Sequence, residues 1–155
     1  VAETVTLRRA GDADAEAIGE VTREAYAKWV AVIGREPLPM TVDYAAAVRR
    51  NRFDLLFVGD RLAALIETTP EADQLLIVNV AVRPAFQGQG YGVRLLTLAE
   101  QLAEAAGLAG TRLYTNKRFV ENLRLYAALG YGVEREEALS GGVAVHMAKP
   151  RVPKV

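Results

Sequence analysis

Val80-Ala81-Val82-Arg83-Pro84-Ala85-Phe86-Gln87-Gly88-Gln89-Gly90-Tyr91-Gly92 joins an apolar run to the start of a helical pattern. Upstream, residues 75–82 are apolar except for Asn79, as expected of a central strand covered on both faces. Downstream, Leu95, Leu98, Ala99, Leu102 and Ala106 mark one face of a helix that stops at Gly107. Glycines between a buried strand and a helix N-terminus let backbone N–H groups turn towards an anion, and the helix end adds favourable partial charge. That suits a pyrophosphate. Two familiar phosphate loops fail in the letters. A dinucleotide fingerprint begun at Gly88 meets Val93 where its last glycine belongs, and one begun at Gly90 meets Leu95. A P-loop needs Gly-Lys-Ser/Thr, yet no lysine lies between Lys28 and Lys117.

Working outward, residues 4–10 alternate as a first strand, and Asp12 is an N-cap candidate. Ile18, Val21, Ala25 and Trp29 predict a helix of about five turns ending at Gly34. Pro37 and Pro39 force a loop over residues 35–40, and a short helix is expected from Thr41 or Val42 to Arg50. Residues 53–58 and 62–68 read as a hairpin turning at Gly59-Asp60. After the glycine segment and its helix come a strand at 111–115 and a helix over 121–129 closed by Gly130. Strands at 131–135 and 143–149 follow. The order β-α-α-β-β-β-α-β-α-β-β is that of a mixed α/β domain with a βαβ-like unit in its second half.

Gln87-Gly88-Gln89-Gly90-Tyr91-Gly92 resembles the Q/R-x-x-G-x-G/A signature of the GNAT superfamily of acyl-CoA-dependent N-acetyltransferases. Val80-Ala81-Val82-Arg83-Pro84 resembles that family's fourth strand entering the loop. Asn122-Leu123-Arg124-Leu125-Tyr126-Ala127-Ala128-Leu129-Gly130-Tyr131 resembles its second motif, a helix with N…LY…LG-[FY]. The likeness spans residues 4–149 and is strongest over 75–131. It implies an α/β acyl-CoA N-acyltransferase fold of about seven strands and four helices. It also implies an enzyme that binds acetyl-CoA as co-substrate and moves the acetyl group onto a primary amine of a small molecule, amino acid or protein. A non-catalytic acyl-CoA sensor of the same fold is the alternative, since residues 75–82 lack the glutamate that many relatives carry there.

The resemblance also assigns roles. Backbone amides of Gln87, Gly88, Gly90, Tyr91, Gly92 and Val93 would hold the CoA pyrophosphate, glycine permitting close approach. Val80 and Val82 would pair their backbones with the pantetheine amides, and the Val82 N–H would polarise the thioester carbonyl. Tyr126 would protonate the leaving thiolate. Asn122, one helical turn earlier, would bond pantetheine or else cap the helix. Asn116 is a weaker candidate. The base is open: Asn79 either orders a relay water or satisfies backbone groups in the core. Glu67 is the nearest acid, although an exposed strand-end carboxylate is the preferred reading there. His146 reads as a half-buried structural residue. Tyr26, Trp29, Arg35, Met40 and Tyr44 gather around the two prolines as the expected acceptor side.

Composition narrows the field further. The 155 residues suit a single domain, 1–155, with 51% hydrophobic and 25% charged residues. Nineteen basic residues balance nineteen acidic ones, so no overall field draws the chain to nucleic acid or an anionic membrane. With no cysteine and one histidine, a thiolate metal site, a Cys nucleophile and a Ser-His-Asp triad are not expected. The opening residues lack a signal-peptide core, and no apolar run approaches about 18 residues. A cytoplasmic protein without metal is the expectation, and the family resemblance leaves room for a homodimer.

Overall fold

The computed structural model describes residues 3–151. Seven strands form one mixed sheet in the order β1-β2-β3-β4-β5-β7-β6. They are β1 (Val5–Arg9), β2 (Arg52–Val58), β3 (Arg61–Glu71), β4 (Gln74–Val82), β5 (Gly110–Asn116), β6 (Gly132–Leu139) and β7 (Gly142–Pro150). The expected order of strands holds throughout, as do the helices after β4 and β5. β4 and β5 pair in parallel across α4 (Tyr91–Ala105), while β1 to β4 form an antiparallel meander. No helix among the described residues is long and apolar enough to cross a membrane.

Helices cover both faces. α4 packs Leu95, Leu96, Ala99 and Ala103 against Leu56, Ile66, Ile77 and Met147. On the other face α1 (Ala15–Tyr26) buries Ile18, Val21 and Ala25 against Leu55, Leu65 and Ala81. Each spacing in α1 is three or four residues, which keeps one stripe inward.

The first helical segment is not continuous, contrary to the periodicity. α1 tightens into a 3-10 turn at Ala27–Trp29 and resumes as α2 (Val30–Ile33). Within that turn Trp29 stacks on Phe119, with ring centroids 4.4 Å apart. Such a pair contributes about 0.5–1.5 kcal/mol beyond its buried area. Gly34, left-handed at φ 74, then ends the segment. The next helix also starts later than expected. Leu38–Thr41 is a separate 3-10 turn and Val42 is extended. α3 (Tyr44–Arg50) begins at Asp43, whose carboxylate accepts from the Ala45 and Ala46 N–H groups at 3.1 and 3.4 Å.

What positions the site is a split in the sheet. β4 pairs with β5 only at Leu75, Leu76 and Ile77. Against β3, the register then shifts: Thr68 faces Ile77 and Glu67 faces Asn79, leaving Val78 as an extra residue. A bulge bends its strand and increases local twist. β4 therefore leaves β5, and a V-shaped opening remains between them. α5 (Val120–Ala128) follows β5 on the α4 side, and Phe119 at its start meets Trp29 across the opening.

Candidate active site

The split leaves one edge of β4 without a partner. The Arg83 N–H donates to Ala63 O at 2.9 Å, so alternation turns the backbone groups of Ala81 and Asn79 towards β3 as well. Val80 and Val82 consequently present theirs to the opening. One of these groups is already satisfied, because Gln87 Nε2 donates to Val82 O at 3.0 Å. The glutamine side chain thus fastens the loop to the strand end.

From there the glycine loop enters α4. Gly88 and Gly90 are left-handed, at φ 79 and 84, and a Cβ on either would meet nothing within 4 Å. The first helical bond of α4 runs from Arg94 N–H to Gly90 O at 3.0 Å. The N–H groups of Tyr91, Gly92 and Val93 accordingly lack intrahelical acceptors. They face a cleft of about 280 Å³ lined also by Val80, Val82, Asn122 and Tyr126. The Tyr126 hydroxyl makes no hydrogen bond among the described residues, and its ring meets Tyr131 edge-on at 5.9 Å. Burial, reinforced by Tyr131, pushes this phenol up to about 12. It keeps its proton at neutral pH.

A second cavity of about 450 Å³ opens on the other side of the split. Tyr26 lines both spaces. Its hydroxyl donates to Asn79 Oδ1 at 2.9 Å, Asn79 Nδ2 donates to Thr22 Oγ1 at 3.3 Å, and Thr22 donates to Ile18 O at 2.9 Å. This relay locks the tyrosine between the two spaces, and burial raises its pKa above the ordinary phenol value. Glu67, opposite Asn79 across the strand pair, is 3% exposed and lines the second cavity. Asn51 Nδ2 donates to its Oε2 at 2.7 Å. Burial lifts the Glu67 carboxyl above the ordinary range, opposed in part by the Asn51 bond and by the Arg50 charge. A carboxylate raised in this way is a better proton acceptor than an ordinary one.

The family model described as the acetyltransferase (GNAT) family matches residues 19–131. The chain belongs to the GNAT acetyltransferase family. No curated protein sequence gives a significant match. Among solved structures, this GNAT chain is similar to a PaiA N-acetyltransferase from Thermoplasma acidophilum in complex with coenzyme A. Identity is 22%, the match covers 95% of this chain and 99% of that one, and the TM-score is 0.81. The ribosomal-protein-S18-alanine N-acetyltransferase of Escherichia coli matches with 23% identity, coverage of 98% and 97%, and a TM-score of 0.78. An acetyltransferase from Thermus thermophilus matches with 20% identity, coverage of 95% and 97%, and a TM-score of 0.71. At these identities the likeness establishes a common fold.

Within the GNAT scaffold, Val80, Val82, Gln87, Gly88, Gly90, Tyr91, Gly92, Val93, Asn122 and Tyr126 come together on the first cleft. Phe119 is the residue before α5, and no side chain caps that helix, so Asn122 has no capping role. Glu67 and Asn79 meet instead on the second cavity with Arg35 and Tyr44. Glu67 is a buried mid-strand carboxylate, which corrects the preferred reading of an exposed one. Asn79 bonds two side chains rather than backbone groups. Trp29 lies on the first cleft, and Met40 lines neither space; its N–H donates to Pro37 O at 2.9 Å. Asn116 does line the second cavity. His146, at 5% exposed, is buried rather than half-buried, between Arg112 and Glu137. Sequence reasoning missed Asn51, Thr22, Tyr114 and Val143. Only Tyr114 carried a signal, since it alternates with Leu113 on β5 as an exposed aromatic.

Proposed function

We propose that this protein transfers an acetyl group from acetyl-CoA to a primary amine by direct attack. One observation carries the reading: the Gly88–Gly90 turn, the free N–H groups of α4, the unpaired β4 edge and the free Tyr126 hydroxyl share one cleft. The donor set fits CoA. Convergent N–H groups at a helix N-terminus suit a pyrophosphate, and an unpaired strand edge suits the amides of pantetheine, as in β-strand addition. The coenzyme A complex of the Thermoplasma relative agrees with that assignment.

Bound acetyl-CoA supplies an acetyl thioester, whose carbonyl carbon the amine attacks and whose thiolate leaves. The Val82 N–H is the donor available to the thioester oxygen as charge develops there. Tyr126 Oη holds the proton for the departing sulfur. Glu67 takes the amine proton from the other side, and Tyr26, fixed by Asn79, bounds the space where the two meet. A buried carboxylate on β3 here stands in for the acid that β4 lacks.

Two measurements test this. Acetyl-CoA at about 100 times its dissociation constant should stabilise the fold by roughly 2.7 kcal/mol, and NADH should not. Release of free thiol from acetyl-CoA is then followed across a panel of amines. Stabilisation without thiol release for any amine would point to the sensor, and stabilisation by NADH alone would remove the CoA assignment.

A further inference from the structure

We infer that the second cavity selects an amine with a single charge and an apolar body, aliphatic or aromatic, rather than a polyamine, a diamino acid or a peptide. This deepens the acetyl-transfer reading and rests on it for the identity of the reacting group. Its walls carry Ile33, Leu38, Val42, Tyr114, Leu139 and Val143. Among the described residues only two charged side chains line it, Glu67 and Arg35. Glu67 is the sole carboxylate of the two, so one ammonium finds a partner and any second one would be buried without one, which is strongly unfavourable. A diamino acid such as lysine likewise brings a second ammonium to a single carboxylate.

A strap in the cavity wall argues against a polypeptide. Arg35 Nη2 donates to Gly141 O at 3.0 Å, tying the segment after α2 to the β6–β7 hairpin. The guanidinium rests directly on Gly141, in the space a side chain there would fill. Both residues line the cavity, so the strap forms part of its wall and limits the room for a chain continuing beyond the amine. The other Arg35 bond goes to Glu36 O at 3.4 Å, so both of its bonds go to backbone carbonyls.

The test is titration calorimetry on the full chain saturated with CoA, using 2-phenylethylamine, n-hexylamine, spermidine, L-lysine and an alanine-headed tetrapeptide. The two apolar amines should bind at least about tenfold more tightly than the other three. Leu38→Asn and Leu139→Asn change residues that are 64% and 51% exposed, so the fold is retained. Each should weaken 2-phenylethylamine by about three- to tenfold while leaving CoA affinity unchanged. Spermidine, lysine or the peptide binding as tightly as the apolar amines would overturn the inference, as would indifference to both substitutions. Thiol release on the same panel separates the two readings. Preferential acetylation of spermidine leaves acetyl transfer standing and removes the inference, whereas the expected binding order without thiol release does the reverse.

Discussion

Replacing Glu67 by Gln separates a proton acceptor from a packing residue. The side chain keeps its length, and its amide oxygen can still accept from Asn51, now at 2.7 Å. What disappears is the charge and the capacity to take a proton. General-base contributions are typically 10²–10⁴-fold, so kcat at pH 8 should fall by at least about a hundredfold. In the wild type, rate should rise with pH through a carboxyl value above the ordinary range, because burial lifts Glu67. That rising limb should vanish in Glu67→Gln. Stability should move the opposite way. With its folded value raised above its unfolded one, Glu67 favours the folded state least once it is ionised. Its cost is absent below about pH 4, near the unfolded value, and is complete above the folded value. Glu67→Gln should therefore melt with the wild type near pH 4. At pH 8 it should be the more stable of the two, because no charge is then held out of water. The assays are thiol release from pH 5 to 9 with saturating acetyl-CoA, and thermal melts at both pH values. Wild-type turnover in a folded Glu67→Gln protein would remove the carboxylate from the mechanism, and an unchanged melting difference would contradict its burial.

Four further substitutions address other parts of the molecule. Tyr126→Phe should lower kcat by about a hundredfold with CoA affinity retained; since the phenol is pushed up to about 12, no decline in rate up to pH 10 should trace to it. Unchanged turnover would leave Tyr126 a packing residue. Gly90→Val places a branched side chain at φ 84, costing about 1–2 kcal/mol, and should weaken CoA binding by tenfold or more in calorimetry while circular dichroism confirms the fold. Undiminished affinity would put the pyrophosphate elsewhere. Gly110→Ala should destabilise by about 1–3 kcal/mol, because a Cβ there overlaps the Lys149 carbonyl oxygen and lies 2.9 Å from Pro150 Cα. Gly132→Ala, with nothing within 4 Å, should be neutral. Equal melting of the two would mean that β5 and β7 do not pair at Gly110 and Pro150.

The elements and the glycine turn were legible in the letters because their causes are local. Period-two and period-3.6 patterns reflect which face of a single segment is buried. The Gly88 and Gly90 spacing reflects a backbone conformation that neighbours impose on each other. Hence residues 80–93 are legible as one anion-binding turn before any tertiary placement, whereas Asn122 and Tyr126 join them only through the family resemblance. Other local contests were decided by partners far along the chain: the stack of Trp29 on Phe119 coincides with a 3-10 turn where periodicity predicted continuous helix. β7 enters the sheet between β5 and β6, an insertion that strand patterns do not encode. The second cavity lies at the far end of that scale. Glu67 reads as an ordinary strand-end acid until the Val78 bulge sets it opposite Asn79 and Asn51 reaches it from the end of α3. Its burial depends on neighbours distant in sequence, Asn79 on β4 and Asn51 after α3 among them. Sequence alone therefore determined that a glycine turn joins a buried strand to a helix, with a tyrosine motif further along the same chain. Only the tertiary structure decided which carboxylate is buried beside the split and how apolar the walls around it are, because desolvation and cavity shape depend on contacts between distant residues.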